Sequence, residues 1–167
     1  MARSSNLQPE VHPFATTARV RPRSRAVLPV ADYDLLLEYL EICERDRGPN
    51  WALLAYVLQN RIVNTKPSHR PVDRDIVVSG SKVTYSVSGA SVEVGLLVHQ
   101  PNAGPRQRGS IPVSTLLGAT LIGMRIGQRA PLLCEDGSVK SLVVVDTVTP
   151  NPTSGPNLCP ELQESRS

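Results

Sequence analysis

The chain has 167 residues, of which 40% are hydrophobic but only 4% aromatic, and it carries a formal net charge of +3. That length accommodates one domain of ordinary size, or a smaller domain with helical and unstructured attachments. The 15 prolines crowd toward the two ends, which favours the second arrangement, with a packed portion of roughly a hundred residues. No apolar run approaches the roughly 20 residues that a bilayer span requires, and no charged start followed by an apolar stretch marks a secretory signal. A soluble, cytoplasmic protein is expected. Cys43, Cys134 and Cys159 are odd in number, far apart and without CxxC or Cys/His spacing, so neither a disulfide framework nor a zinc site is indicated. Reduced, mostly buried thiols are the simpler reading, and no metal or cofactor is expected.

Residues 1–28 form a basic, Pro/Ser/Thr-rich tail holding Arg3, Arg19, Arg21, Arg23 and Arg25 against the single acid Glu10. Such a composition cannot bury enough apolar surface to offset the entropy of ordering, and the sequence predicts disorder. Arg19, Arg21, Arg23 and Arg25 are candidates for weak contact with nucleic-acid phosphates. An Arg-rich, acid-poor targeting peptide and a solvated tail without a partner are the other readings, and no aromatic residues interleave the arginines to favour binding.

Residues 29–66 read as a helical hairpin. Tyr33, Leu36, Leu37, Leu40 and Cys43 recur at helical spacing, with Asp34, Glu38, Glu41 and Arg45 left for solvent and Asp32 as an N-cap candidate. Arg47-Gly48-Pro49-Asn50 breaks the pattern, and Asn50 is placed to cap a second helix running to about Val63. One face of that helix holds Trp51, Leu54, Ala55, Leu58 and Ile62. The hairpin is expected to pack back on a C-terminal β domain through Trp51 or one of its leucines. Glu44 and Asp46 lie near the tip, where a functional acidic pair and a solvated turn both fit. Lys66-Pro67 and Arg70-Pro71 read as a linker, because a residue before proline is pushed out of the helical region.

Residues 67–150 read as that β domain. Ile76–Val78 is an expected strand, Ser79-Gly80-Ser81 a bend or bulge, and Lys82–Val87 an alternating strand that turns at Ser88-Gly89 into Val92–Val98. After a polar loop with Arg106 and Arg108, Gly109–Gly127 reads as strand, short helix and strand, with Gly118 and Ala119 as small contact points for close packing. Ile111, Val113, Leu117, Leu121, Ile122 and Ile126 are the predicted core of this stretch, and Ser114, Thr115, Leu116 and Arg125 its surface. Gln128–Leu133 and Val139–Val148 flank Glu135-Asp136-Gly137-Ser138, a hairpin turn. Residues 151–167 return to Pro/Ser-rich composition and are expected to fray. The fold class is α+β: a helical hairpin, then a four- or five-stranded, mainly antiparallel sheet with one short helix.

Three segments carry a family resemblance: Asp75-Ile-Val-Val-Ser-Gly-Ser-Lys-Val83, the whole of Gly109–Gly127, and Glu135-Asp136-Gly137. In order and spacing they resemble the C-terminal domain of the GreA/GreB transcript-cleavage factors. The short hairpin opening Ala31-Asp32-Tyr33-Asp34-Leu35 is more similar to the nucleoside diphosphate kinase regulators (Rnk) than to the long Gre coiled coil. The resemblance spans about residues 30–150. It implies an FKBP-like C-terminal domain that docks on RNA polymerase near the secondary channel, in a regulatory and non-enzymatic role. Gre factors carry a pair of tip acids to the polymerase active site, where they help hold Mg²⁺. A helix of roughly fifteen residues is only about 22 Å long, and Arg45 and Arg47 alternate with Glu44 and Asp46 and compete for their charge. Polymerase binding without stimulated cleavage is therefore expected.

The family's docking contact centres on the loop entering the short helix, usually Ser-Pro followed by a residue and Gly. Here Ser114 and Gly118 keep their places, Thr115 replaces the proline, and the strand before it carries Pro112. Ser114, Thr115, Leu116, Gly118 and Arg125 are accordingly the partner-binding candidates, with less preorganisation expected where proline is lost. Prolyl isomerisation, which an FKBP-like fold suggests, needs an aromatic-lined pocket, and residues 70–150 offer only Tyr85. His12, His69 and His99 belong to no nucleophile elbow, P-loop or paired-ligand motif. Besides polymerase, nucleoside diphosphate kinase or another metabolic protein remains an alternative partner.

Overall fold

The computed structural model describes residues 25–46, 48–99 and 109–149. The basic tail up to residue 24, Arg47, the loop with Arg106 and Arg108, and the stretch from Pro150 lie outside the described residues.

The first element is a strand, β1 (Ala26–Pro29), whose Leu28 is fully buried. It pairs in parallel with β2 (Thr65–Ser68), in register Ala26 to Thr65 and Pro29 to Ser68. Three residues assigned to the tail thus belong to folded structure, and the Lys66-Pro67 segment read as a linker is a strand. Neither is legible locally. A parallel two-stranded ribbon joins segments that lie far apart in sequence, and only the hairpin between them brings the strands together.

That hairpin consists of α1 (Val30–Arg45) and α2 (Pro49–Val63). Pro29 rather than Asp32 occupies the N-cap of α1, and Gly48 rather than Asn50 that of α2, neither with a side-chain cap bond. Proline in the first turn of α2 needs no N–H partner there, so the glycine-proline pair starts the helix without a capping side chain. The buried stripe of α1 is Asp32, Leu36, Tyr39 and Cys43, one position round from the predicted one, and Leu37 is exposed. On α2, Leu54 and Leu58 are buried while Trp51 is 37% exposed. The leucines, not the tryptophan, join the hairpin to the common core.

The larger sheet has five strands in the order β5-β4-β3-β7-β6: β3 (Lys82–Val87), β4 (Glu93–Val98), β5 (Ser110–Pro112), β6 (Arg129–Leu133) and β7 (Val139–Val148). Neighbours pair antiparallel except β4 and β5, which run parallel from Leu96–Ser110 to Val98–Pro112. The sheet is therefore mixed. The β3–β7 register shifts between Thr84 and Tyr85, a bulge in the middle of the sheet. Ser88 and Gly89 both have positive φ (52° and 72°), the conformation the predicted hairpin turn requires. At the other hairpin, Asp136 accepts hydrogen bonds from the Ser138 backbone N–H and hydroxyl; these two donors hold its carboxyl below the usual range.

Alternation along the strands places Val83, Tyr85, Leu97, Leu132, Leu142 and Val144 on the buried face. Two predicted strands are absent as such. Ile76–Val78 and the residues after Ile122 form only an isolated antiparallel bridge, Ile76 to Arg125, held by Val77 N–H to Met124 O and Gly123 N–H to Val77 O, both 2.8 Å. The apolar content read as strand periodicity is explained by burial on every side: Ile76, Val77, Ile122 and Met124 are fully buried. Ile126, predicted as core, is 42% exposed.

Candidate functional site

The stretch from β5 into α3 (Leu116–Leu121) is a tight, self-braced turn. Thr115 is the N-cap of α3: its Oγ1 accepts from Gly118 N–H at 3.1 Å and donates to Pro112 O at 2.7 Å. Pro112 O also accepts from Thr115 N–H at 3.2 Å. The preorganisation expected to be lost with proline is supplied here by a bridging hydroxyl, since a threonine cap satisfies one of the helix's orphan donors.

Gly118 is required by contact. A Cβ there would lie 2.0 Å from Pro112 O and 2.8 Å from Val113 Cα, so any side chain would drive the helix off the strand. Ala119 follows, fully buried. The outcome is an exposed Thr115 flanked by half-buried Ser114 and Leu116, over a floor of Val113, Gly118 and Ala119 that excludes water.

Arg125 occupies a different part of the surface. Its Nη1 donates to both carboxylate oxygens of Asp75, at 2.9 and 2.8 Å, and its Nη2 to Asp73 at 3.1 Å. The bond to Asp75 is the main reason its proton is held more tightly than usual. With its side chain 37% exposed, the pairing is a surface network of modest strength, and the guanidinium's donors are directed at the chain's own acids. Glu44 and Asp46 are exposed at the hairpin tip, and Asp46 terminates α1 by donating its N–H to Ile42 O at 3.0 Å.

Two polar contacts between the hairpin and the β domain have no counterpart in the sequence reading. Asp32, expected as a cap, is 6% exposed and accepts from Ser79 N–H and from His99 Nε2, both at 2.9 Å. The Tyr39 ring stacks on His99 at 6.1 Å. Burial is the first cause, and neighbouring Glu38 the second, of a raised Tyr39 pKa. On the opposite helix Arg61 donates to the carbonyls of Ala119 and Thr120. The signal for Asp32 was its place on the apolar stripe, spaced four from Leu36; a carboxylate at a core position needs partners. Arg61 offered no such signal.

Tyr85 belongs to the core of the sheet. It is 6% exposed and donates its hydroxyl to Glu93 at 2.9 Å; burial first, and then Glu93, push its pKa up to about 12. Cys43 and Cys134 are both free thiols, and burial pushes the Cys43 pKa up. Among the described residues no helix is long and apolar enough to cross a membrane.

No family model and no curated protein matches the sequence. Among solved structures, the chain is similar to the prokaryotic transcription elongation factor GreA/GreB from Nitrosomonas europaea. The two are 18% identical, with 74% of this chain and 99% of that one covered and a TM-score of 0.53. The chain has the GreA/GreB fold. The Gre factor homolog Gfh1 of Thermus thermophilus is 15% identical over 75% of this chain and 99% of its own, at a TM-score of 0.38. Gfh1 of Thermus aquaticus matches at 0.39 with the same identity and coverage. In the hairpin, α1 has 16 residues and α2 has 15. Because Tyr39 stacks on His99, only the stretch from Leu40 to Arg45 extends past that contact, about 9 Å of helix.

Proposed function

We propose that this protein is a non-enzymatic regulator that binds RNA polymerase at the rim of its secondary channel through the β domain, without stimulating transcript cleavage. The observation that carries this reading is the GreA/GreB fold combined with a hairpin that extends only about 9 Å beyond the Tyr39–His99 contact. The fold supports a docking role for the β domain, and the limited reach of the hairpin supports a tip that does not deliver acids to a distant catalytic centre. Residues 67–150 act as the docking domain, on the FKBP-like plan the family resemblance implies, and residues 29–66 as the hairpin. Ser114, Thr115 and Leu116 form the contact edge over Gly118, and Arg125, already paired with Asp75 and Asp73, is a separate contact on another part of the surface. Glu44 and Asp46 stay at the channel mouth, in a cytoplasmic protein that needs no bound metal of its own.

Thr115→Asp adds a charge at the exposed position and keeps an N-cap acceptor but loses the hydroxyl's bond to Pro112 O, so Leu116→Asp, which leaves that bond in place, is its companion. Immobilised wild-type protein is expected to retain purified polymerase, and Thr115→Asp or Leu116→Asp to lose it. Shortening of RNA in backtracked complexes by the wild type, abolished by Glu44→Ala with Asp46→Ala, would sink the non-cleaving reading. Retention of nucleoside diphosphate kinase without polymerase would replace the partner. DNA binding that survives removal of residues 1–24 would take Arg19, Arg21 and Arg23 out of the question, leaving Arg25 to be tested by itself.

A further inference from the structure

The base of the hairpin is fastened to the β domain on both sides, by one helix each. Asp32 in the first turn of α1 holds Ser79 N–H and His99 Nε2. Arg61 in the last turn of α2 holds α3: Nε reaches Ala119 O at 3.4 Å, and Nη2 reaches Thr120 O. These carbonyls belong to the end of a helix, where the last oxygens lack intrahelical partners, and Gly123 N–H, just beyond them in the chain, turns away to Val77 O.

Among the described residues Arg61 has no carboxylate in ion-pair reach. Burial lowers its pKa to about 10, so it remains a cation at neutral pH and meets the negative end of α3. Its stem passes Gly123 at the junction of three elements: a Cβ on Gly123 would sit 3.6 Å from Arg61 Cδ and 3.8 Å from both Leu28 methyl carbons. Glycine at φ 76° leaves that passage open.

We propose that Arg61 is a positioning residue that fixes the direction of the hairpin relative to α3, so that the hairpin tip and the Ser114–Gly118 turn move as one rigid unit. The apolar contacts between the two parts, through Leu28, Leu36 and Leu58, are non-directional and tolerate sliding; hydrogen bonds from a planar fork to two successive carbonyls do not. The helix that Arg61 grips at its C-terminal end is the one whose N-terminal turn is the docking edge. Where the tip points relative to that edge, once the edge is seated, is thus set at Arg61, with the Asp32 bonds holding the other helix to the sheet side. The functional half of this inference rests on the docking reading above; the geometric half does not.

The test is a pulsed electron-spin distance measurement on the full chain, with nitroxides at Glu44→Cys and Glu135→Cys and the native cysteines replaced. Wild-type Arg61 is expected to give one narrow tip-to-sheet distance. Arg61→Met is expected to lose that single distance for a broad or displaced distribution, and Arg61→Lys, which donates without the fork, to fall between. Leu58→Ala, which removes apolar contact but no directional bond, is expected to lower the melting temperature and keep the distance narrow. An unchanged distribution in Arg61→Met, or in Arg61→Lys should the methionine variant not fold, overturns the proposal. With polymerase, the Arg61 variants are expected to bind as wild type does but to lose its effect on elongation. A wild type that never binds polymerase, with the Arg61-dependent distance intact, overturns the docking reading and leaves the clamp standing.

Discussion

The α3 entry turn and the hairpin tip are the two parts of this molecule a Gre-like reading asks to meet a partner, and they are built in opposite ways. The turn is over-determined. Pro112 O takes two hydrogen bonds from Thr115, Thr115 Oγ1 takes a third from Gly118 N–H, and the helix lies so close to the strand that no Cβ fits. The tip is a helix end with Gly48 and Pro49 beyond it, and Glu44, Arg45 and Asp46 are exposed there. A surface held in one shape meets a partner at little entropic cost, whereas exposed charges on a short arm supply field more than fit. The difference teaches that the turn presents one preformed surface, whereas the tip presents exposed charge whose direction is set by the rest of the hairpin.

The largest expected effect, and the sharpest test of the contrast, is Gly118→Ala. The added methyl meets backbone rather than a side chain that can move, so a loss of about 3 kcal/mol is expected in urea unfolding. A variant as stable as wild type would mean that the helix rides freely over the strand. The next effect is in pH dependence and concerns the sheet that supports the turn. The folded-state pKa of Tyr85 is raised from 10.0 to about 12, so the folded protein keeps this proton where the unfolded chain loses it. Stability from this group is fully present below pH 10 and falls between about pH 10 and 12. Chemical denaturation across that window should show the decline, and Tyr85→Phe should flatten it.

A smaller change is expected from Thr115→Ala, which removes the cap: about 1 kcal/mol of stability, read in the same urea titration, with Thr115→Ser restoring most of it. The smallest is at the tip. Glu44→Ala with Asp46→Ala is expected to alter stability by less than about 0.5 kcal/mol, and a larger loss would show that the tip is structurally engaged after all.

Much of the fold was legible because its signals are local. The hairpin helices are periodic and punctuated by Gly48-Pro49; β3, β4, β6 and β7 alternate and are joined by turns with glycine at positive φ, Gly89 and Gly137. The α3 turn was legible through Ser114 and Gly118 and their spacing. What failed did so where a local signal has more than one tertiary outcome. Ile76–Val78 and Ile122–Met124 are apolar as strands are, yet they are buried in irregular backbone, and composition alone does not tell these apart. Asp32 read as a cap because an acid near a helix start usually is one; here proline already fills the cap position, and the carboxylate faces His99 instead.

The sequence by itself determined the elements and the chemistry each could carry: two amphipathic helices, alternating strands, a glycine where helix must touch strand, and acids alternating with arginines near the tip. Tertiary structure decided how they are joined. The parallel pairing of β1 with β2, the grip of Arg61 on α3 and the Asp32–His99 contact, whose partners lie 67 positions apart, link residues with no local relation. Hydrophobic periodicity reports which face of an element is buried, but it carries no information about what the buried polar groups on that face will find. Those pairings are fixed only when the whole chain closes around them and takes the groups out of water.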